Sequence, residues 1–322
     1  MTYITQLCGP SRNLASGIRY FSLVPELPDL EAYRDALTRH VGGQVLEGIR
    51  LGSPFVLKSV DPAPAEAAGH RVVDVRRLGK RIVMVLEGEI FIIVHLMIAG
   101  RLRWRKAGTA LPKRRGLAAF DFDNGSLLFT EEGTQHRAGL WLTRGEDALS
   151  AHDPGGLEPL DLDRDAFATA LRRERHTLKR TLTDPHVFAG VGNAYSDEIL
   201  HAARLSPLQL TTNLTDEEVS RLHRATVETL TAWTERLREE TGEGFPEKVT
   251  AFRDGMAVHG RYREPCPACG SPVQRIRYAE NEVNYCATCQ TGGKVLADRA
   301  ISRLLREDWP RSLAEWEERM GG

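Results

Sequence analysis

Residues 70–104 read HRVVDVRRLGKRIVMVLEGEIFIIVHLMIAGRLRW. β-Branched and aromatic residues dominate the run, apolar and polar positions alternate over much of it, and glycines punctuate it at 79, 88 and 100. That pattern predicts successive strands joined by tight turns. A second run, LAAFDFDNGSLLFTEEGTQHRAGLWL at 117–142, repeats the pattern around an Asn-Gly hairpin signal at 124–125. Upstream, PELPDLEAYRDALTRHVGG at 25–43 has a helical period. Leu30, Tyr33, Leu37 and Val41 recur at three to four residues, Pro28 suits a first turn and a Gly pair ends the run. The region to about 150 therefore reads as a β-sandwich carrying one N-terminal helix.

Beyond it, AHDPGGLEPLDLDRD (151–165) is acidic and rich in Pro and Gly, as a linker would be. A helical region follows. Thr215 and Glu218 have capping-box spacing, and Val219, Leu222, Thr226, Leu230, Trp233 and Leu237 continue at helical intervals. After a cysteine-bearing segment, a tail spans 294–320 and places Ile301, Leu304 and Leu305 on one helical face.

A chain of 322 residues, 41% hydrophobic, is long enough for about two domains with real cores. No apolar run reaches transmembrane length, and IFIIVHLMIAG at 90–100 is interrupted by His95. The N-terminal segment lacks a basic-then-apolar signal layout, so the expected location is the cytoplasm. The net charge of −1 hides an uneven distribution. Arg71–Lys106 holds nine Lys/Arg against three Asp/Glu, and Thr143–Asp165 holds seven acids against two bases. A neutral total is thus compatible with a basic face, the feature that nucleic-acid binding requires.

Four of the five cysteines form two Cys-x2-Cys pairs, Cys266/Cys269 and Cys286/Cys289, with sixteen residues between them. Each pair suits a knuckle holding two thiolates on one ion, and RYAENEVNY between the pairs suits a hairpin. Four buried, unrelated cysteines are the plainer alternative. Four thiolate ligands leave no open position, so the expected cofactor is one structural zinc ion in a ribbon-type finger.

The stretch DPHVFAGVGNAYSDEILHAARLSP (184–207) pairs a Gly190/Gly192 turn with a helix start. Asn193 reads as its N-cap, and Asp197 and Glu198 fall in the first turn of the helix that follows, where acids suit the helix dipole. Bare N–H groups beside glycines make a candidate phosphate site, to which Lys179 upstream could add charge; an ordinary helix–turn–helix connection fits equally well.

These pieces, in this order, resemble the formamidopyrimidine-DNA glycosylase / endonuclease VIII family. The resemblance rests on PELPDLE (25–31), RRLGKRIV (76–83), HLMIAGRL (95–102), AGVGNAYSDEIL (189–200) and the four-cysteine finger, and covers roughly residues 25–290. It implies a multi-domain α+β protein with a β-sandwich, a helix-two-turn-helix domain and a zinc finger. The expected layout is a 1–24 leader, a 25–150 catalytic sandwich, a 151–165 linker, a 166–262 helix-two-turn-helix DNA-binding domain, a 263–290 finger and a 291–322 helical tail. It further implies a monomeric base-excision-repair enzyme that acts on double-stranded DNA with damaged bases or abasic sites. Such an enzyme removes an oxidised base and then cuts the strand by elimination, after flipping the base into a pocket.

The resemblance also assigns residues. Pro25 matches the N-terminal proline whose secondary amine forms an iminium with the sugar, and Glu26 the acid that opens the deoxyribose ring. Lys80 matches the lysine that supports catalysis at the lesion, Lys179 and Asn193 the phosphate contacts. Taken singly, Glu26 could be a helix-start carboxylate and Lys80 a surface residue. The sequence departs from the pattern in three main places and one smaller one. Ile98 stands where a wedge methionine is usual. His136, Arg137 and Ala138 stand in an Arg-Arg-Phe run, with His136 at the base-reading arginine and Ala138 at the aromatic wedge. Asn281 replaces a DNA-contacting finger arginine, and Arg275 and Arg277 are candidates to substitute for it. Asp29, where glutamate is usual, shortens one carboxylate.

The alternatives are a non-catalytic binder of abasic or damaged DNA with the same fold, and an unrelated zinc-ribbon module. Pro25 discriminates, because inside a chain its nitrogen is an amide. Residues 1–24, which hold Cys8, are expected to be absent from the active protein. Val24 is what a literally translated GTG start codon would leave before Pro25.

Overall fold

The computed structural model describes residues 24–132, 137–247, 249–250, 252–278, 281–297 and 312–320. Helix α1 (Leu27–Val41) comes first, with Leu30, Tyr33, Leu37 and Val41 fully buried, as the helical period predicts. Eight strands follow: β1 (Gly48–Leu51), β2 (Val72–Leu78), β3 (Arg81–Leu86), β4 (Ile90–His95), β5 (Gly100–Arg105), β6 (Gly116–Phe122), β7 (Gly125–Glu131) and β8 (Gly139–Arg144). They form two antiparallel four-stranded sheets, ordered β1-β6-β7-β5 and β2-β3-β4-β8. Two short helices, α2 (Pro64–Ala67) and α3 (Glu146–Ser150), add to the single helix expected here.

β3 and β4 are apolar almost throughout because both faces of their sheet are covered. Ile82, Met84, Leu86, Ile90, Ile92 and Val94 face the other sheet and α1. Val83, Val85, Phe91 and Ile93 face outward and are covered by Leu149 of α3 and by Trp141. Half-buried alternation is the wrong template where a helix caps the second face.

The helical half contains α4 (Arg164–Arg172), α5 (Leu178–Thr183), α6 (Asn193–Ala202) and the 26-residue α7 (Asp216–Thr241). The Thr215–Glu218 capping box forms, and Val219, Leu222, Thr226, Leu230, Trp233 and Leu237 are buried. Segment 151–165 lies against this half: Leu157 bridges to Phe188, and Leu160 and Leu162 pack on its core.

The finger consists of β9 (Val273–Tyr278), β10 (Asn281–Cys286) and α8 (Ala287–Thr291), and the hairpin read from RYAENEVNY is present. It docks on the helical half, where Gln290 donates from Nε2 to the Leu205 carbonyl at 2.9 Å. The tail is described over α9 (Leu313–Met320). Cys8, His136, Ile301, Leu304 and Leu305 lie outside the described residues.

Candidate active site

The glycine turn before α6 does not wait for a phosphate. Its N–H groups are taken by a carboxylate of the protein itself: Glu26 accepts from the backbone N–H of Gly192 at 2.8 Å, Ala194 at 2.8 Å and Tyr195 at 3.1 Å. A side chain from the start of α1 thus caps α6 and satisfies donors that a helix start leaves open. The expected cap, Asn193, is instead the first helical residue, and Gly192 is the N-cap. The Asn193 amide donates to the Glu282 carbonyl of the finger hairpin at 2.8 Å.

Both glycines are needed for this approach. A Cβ at Gly192 would overlap the Glu26 carboxyl group. Gly190 has φ +78°, a Cβ there would lie 2.9 Å from Cβ of Leu27, and its carbonyl accepts from Leu27 N–H. Pro25 and Glu26 are both buried at this seam. The Glu26 N–H donates to Asp29 Oδ2 at 3.0 Å, and Arg253 pairs with the other Asp29 oxygen at 2.6 Å. The shorter Asp29 carboxylate therefore acts within the helix start and on a distant loop.

Burial raises the Glu26 pKa above its ordinary value of 4.5, against the opposing pull of Lys80 and of the Ala194 and Tyr195 N–H groups. Lys80 lies in the two-residue turn joining β2 and β3, whose first position, Gly79, has φ +57°. Burial lowers the Lys80 pKa; Glu26 pulls it up and Lys179 pushes it further down. Arg77 braces the turn by donating to the Gly79 carbonyl at 3.0 Å while paired with Glu31 at 2.7 Å and with Glu158.

Lys179 donates from Nζ to the Asn193 carbonyl and to Asp197 Oδ1, both at 2.6 Å. The second Asp197 oxygen meets His259 Nδ1 at 2.8 Å and accepts from Asn284 N–H of the finger at 3.1 Å. Glu198 accepts from the N–H groups of Ala257, Val258 and His259, and burial raises its pKa. Asp197 and Glu198, expected in the first turn of the helix, lie beyond it because α6 begins at Asn193; they are buried brackets that fix the finger and its lead-in loop to α6. The adjacent cleft has a volume of about 970 Å³ and is lined in part by Lys80, Arg175, Lys179, Arg180 and Asn193.

The remaining candidates lie elsewhere. Ile98 is half-buried in the β4–β5 turn, where the Arg101 guanidinium donates to its carbonyl at 3.3 Å. Arg137 is exposed, and its backbone N–H donates to Glu131. Ala138, the position expected to face DNA as a wedge, is buried within the sandwich core, on the same alternation that sends Leu140 and Leu142 of β8 inward. Arg275 and Arg277 share one face of the finger hairpin and both meet Glu282, at 3.5 and 3.4 Å; Arg275 also lies 3.9 Å over the Tyr262 ring. The Asn281 backbone pairs with Tyr278 at the hairpin end. The Sγ atoms of Cys266, Cys269, Cys286 and Cys289 lie within 4.8 Å of one another, a donor set able to hold one metal ion.

Comparison with known proteins decides the family. Residues 24–135 match the formamidopyrimidine-DNA glycosylase N-terminal domain, and residues 156–241 match the H2TH domain of the same enzymes. The formamidopyrimidine-DNA glycosylase of Desulforamulus reducens is 32% identical over 286 residues, covering 83% of this chain and 99% of the relative. The chain belongs to the formamidopyrimidine-DNA glycosylase family. A formamidopyrimidine-DNA glycosylase-like protein of Mycobacterium tuberculosis, itself uncharacterised, is 41% identical over 151 residues, covering 47% of this chain and 94% of that protein. Among solved structures, the MutM (Fpg) protein of Thermus thermophilus superposes with a TM-score of 0.69 at 32% identity, covering 83% of this chain and 98% of that one. The Lactococcus lactis glycosylase, crystallised bound to DNA containing an abasic site, has the same fold, with a TM-score of 0.72 at 23% identity and 83% and 99% coverage. Within this family's frame, the seam that holds Pro25, Glu26 and the glycine turn joins the two matched domains.

Proposed function

We propose that this protein is a base-excision-repair DNA glycosylase with abasic-site lyase activity. The observation that carries the reading is Glu26, buried beside Pro25, held by three N–H groups of the other family domain and acted on by the charge of Lys80. The reacting form begins at Pro25. In the chain as written Pro25 follows Val24 and its nitrogen is an amide, while the family match begins at residue 24.

With a free secondary amine, Pro25 attacks the deoxyribose C1′. The N–C1′ bond forms, the glycosidic bond breaks, and the base leaves with a proton. Glu26 in its protonated form delivers a proton to the ring oxygen, the ring opens and an iminium results. The iminium acidifies the C2′ hydrogen, so loss of that proton expels the 3′ phosphate by β-elimination. Lys80, whose burial favours its neutral form, is placed to take or give protons at this step. The DNA backbone runs along the cleft, with Lys179 and Asn193 on phosphates and Arg137, Ile98, Arg275 and Arg277 at its margins.

The four cysteines fit a structural zinc. A Zn–S distance of about 2.3 Å gives tetrahedral S–S edges of about 3.8 Å. The observed Cys269–Cys286 and Cys266–Cys289 separations of 3.4 and 4.0 Å lie either side of that value. His201 Nε2 lies 3.2 Å from Cys266 Sγ, where it orients that ligand. Zinc would hold the two knuckles together and so support the Asn193–Glu282 and Asp197–Asn284 contacts.

Borohydride trapping on an abasic-site duplex tests the reading. A covalent adduct is expected for protein starting at Pro25, and none for the Pro25→Gly variant or for an N-terminally extended chain. A Pro25-initiated protein that binds the duplex without forming an adduct would overturn the reading in favour of a non-catalytic binder of abasic or damaged DNA.

A further inference from the structure

Two arginines flank the Gly79–Lys80 turn, and their environments are opposites. Arg77 is saturated by Glu31, Glu158 and the Gly79 carbonyl. The side chain of Arg81, one residue past Lys80, makes no hydrogen bond and no ion pair among the described residues. Its Nε is buried without a partner, and its two terminal nitrogens are not closed off from solvent. Burying the Nε of a charged guanidinium without a partner is costly, and a counter-charge arriving from outside would offset that cost.

The surroundings are shaped for an anion. Alternation along β3 and β4 puts Arg81 and its cross-strand partner His95 on the outward face, because Ile82 and Val94 face the core. His95 in turn pairs with Gly139 of β8. A Cβ at Gly139 would lie 2.5 Å from the Trp141 ring, so that ring folds over the glycine, and His152 meets its edge with centroids 5.7 Å apart. Arg81 is thus at the polar end of an otherwise apolar face, beside His95 and near enough to His152 for its charge to act on that ring. The nearest acid, Asp153, attracts it only from beyond ion-pair distance. Burial, with Arg81 and Lys80, pushes His95 down to about 4, so His95 is neutral near pH 7 and leaves the positive charge on Arg81.

We infer that Arg81 binds a backbone phosphate of the DNA, a contact additional to those of Lys179 and Asn193 and on the sandwich side of the Lys80 turn. The inference rests on the DNA-repair reading above. A guanidinium supplies paired donors for two phosphate oxygens.

The test measures binding of the whole protein to a duplex carrying a stable abasic analogue, by anisotropy, across a salt series from about 50 to about 200 mM. Arg81→Gln is expected to weaken binding several-fold and to reduce the log–log salt slope by about 0.9, the value for one phosphate contact. Arg81→Lys should keep the slope and lose only part of the affinity. Arg144→Gln, at an exposed ion pair on the same sheet, should leave the slope unchanged. Placing single neutral methylphosphonates along each strand supplies a second measurement. One position should weaken the wild type but not Arg81→Gln. An unchanged slope in Arg81→Gln, an equal slope change in Arg144→Gln, or no position coupled to Arg81 would each overturn the inference. Wild-type protein that binds no duplex at all would overturn the functional reading itself, and this inference with it.

Discussion

Glu26 and Gly192 lie 166 residues apart in sequence, yet the Gly192 N–H donates to the Glu26 carboxylate at 2.8 Å. One hydrogen bond thus joins the first residues of the sandwich half to the helix start of the other half. Because the glycine has no Cβ, the carboxylate enters where an ordinary side chain would stand.

Gly192→Ala should therefore expel Glu26 from its seat. Overpacking at a buried, closely fitted site costs about 1–3 kcal/mol. The expected outcome is a lower melting temperature together with loss of the borohydride adduct. A variant with wild-type melting and trapping would show that the glycine is not required.

Glu26→Gln keeps one of the two acceptor oxygens and removes the titrating proton, while its amide NH2 must face at least one of the three N–H donors. It should fold and lose about 10²–10⁴ in base-excision rate, measured on a duplex with an oxidised base. Its stability also carries a sign. The folded-state pKa of Glu26 is raised above 4.5, so the native state holds its proton to higher pH than the unfolded chain. Stability from this group is complete below about pH 4.5 and is lost as pH rises through the folded-state pKa. The melting temperature of the wild type relative to Glu26→Gln should fall as pH rises from about 4.5. A difference that is flat or rises with pH would contradict the assignment.

Asp197→Asn should be among the most damaging single changes to the helical half. Asp197 is fully buried and pairs with both Lys179 and His259. Breaking a buried pair from one side costs about 3–5 kcal/mol. Thermal or urea unfolding checks this, and a loss under about 1 kcal/mol would remove Asp197 from its bracketing role.

Metal analysis should find one zinc per chain, and chelation should abolish tight duplex binding. Cys266→Ser should do the same, because the finger positions Asn193 and Asp197 through Glu282 and Asn284. Full DNA affinity after Cys266→Ser would contradict this.

Features set by neighbours in sequence were legible before the structure. The α1 stripe of Leu30, Tyr33, Leu37 and Val41, the Thr215–Glu218 box and the two cysteine knuckles depend on spacings of a few residues. The order of the motifs also pointed to the family that the comparisons establish. What escaped the sequence depends on distant partners. Asn193 was a reasonable cap by type, but the cap came from Glu26. Asp29 and Arg253 are separated by 224 residues, and neither announces the other. Ala138 could not be seen to point inward without the register of β8. Nor could Arg81 be told from Arg77, since both stand in one basic run and only packing shows which is already neutralised.

Leu27 is packed among the helices, whereas Leu30, one turn later, is packed among the strands. α1 is therefore a dowel seated in both halves of the molecule, and its first turn spans the joint. Pro25 and Glu26 sit at that joint, so a change in the first turn of α1 is felt by the packing of both halves at once.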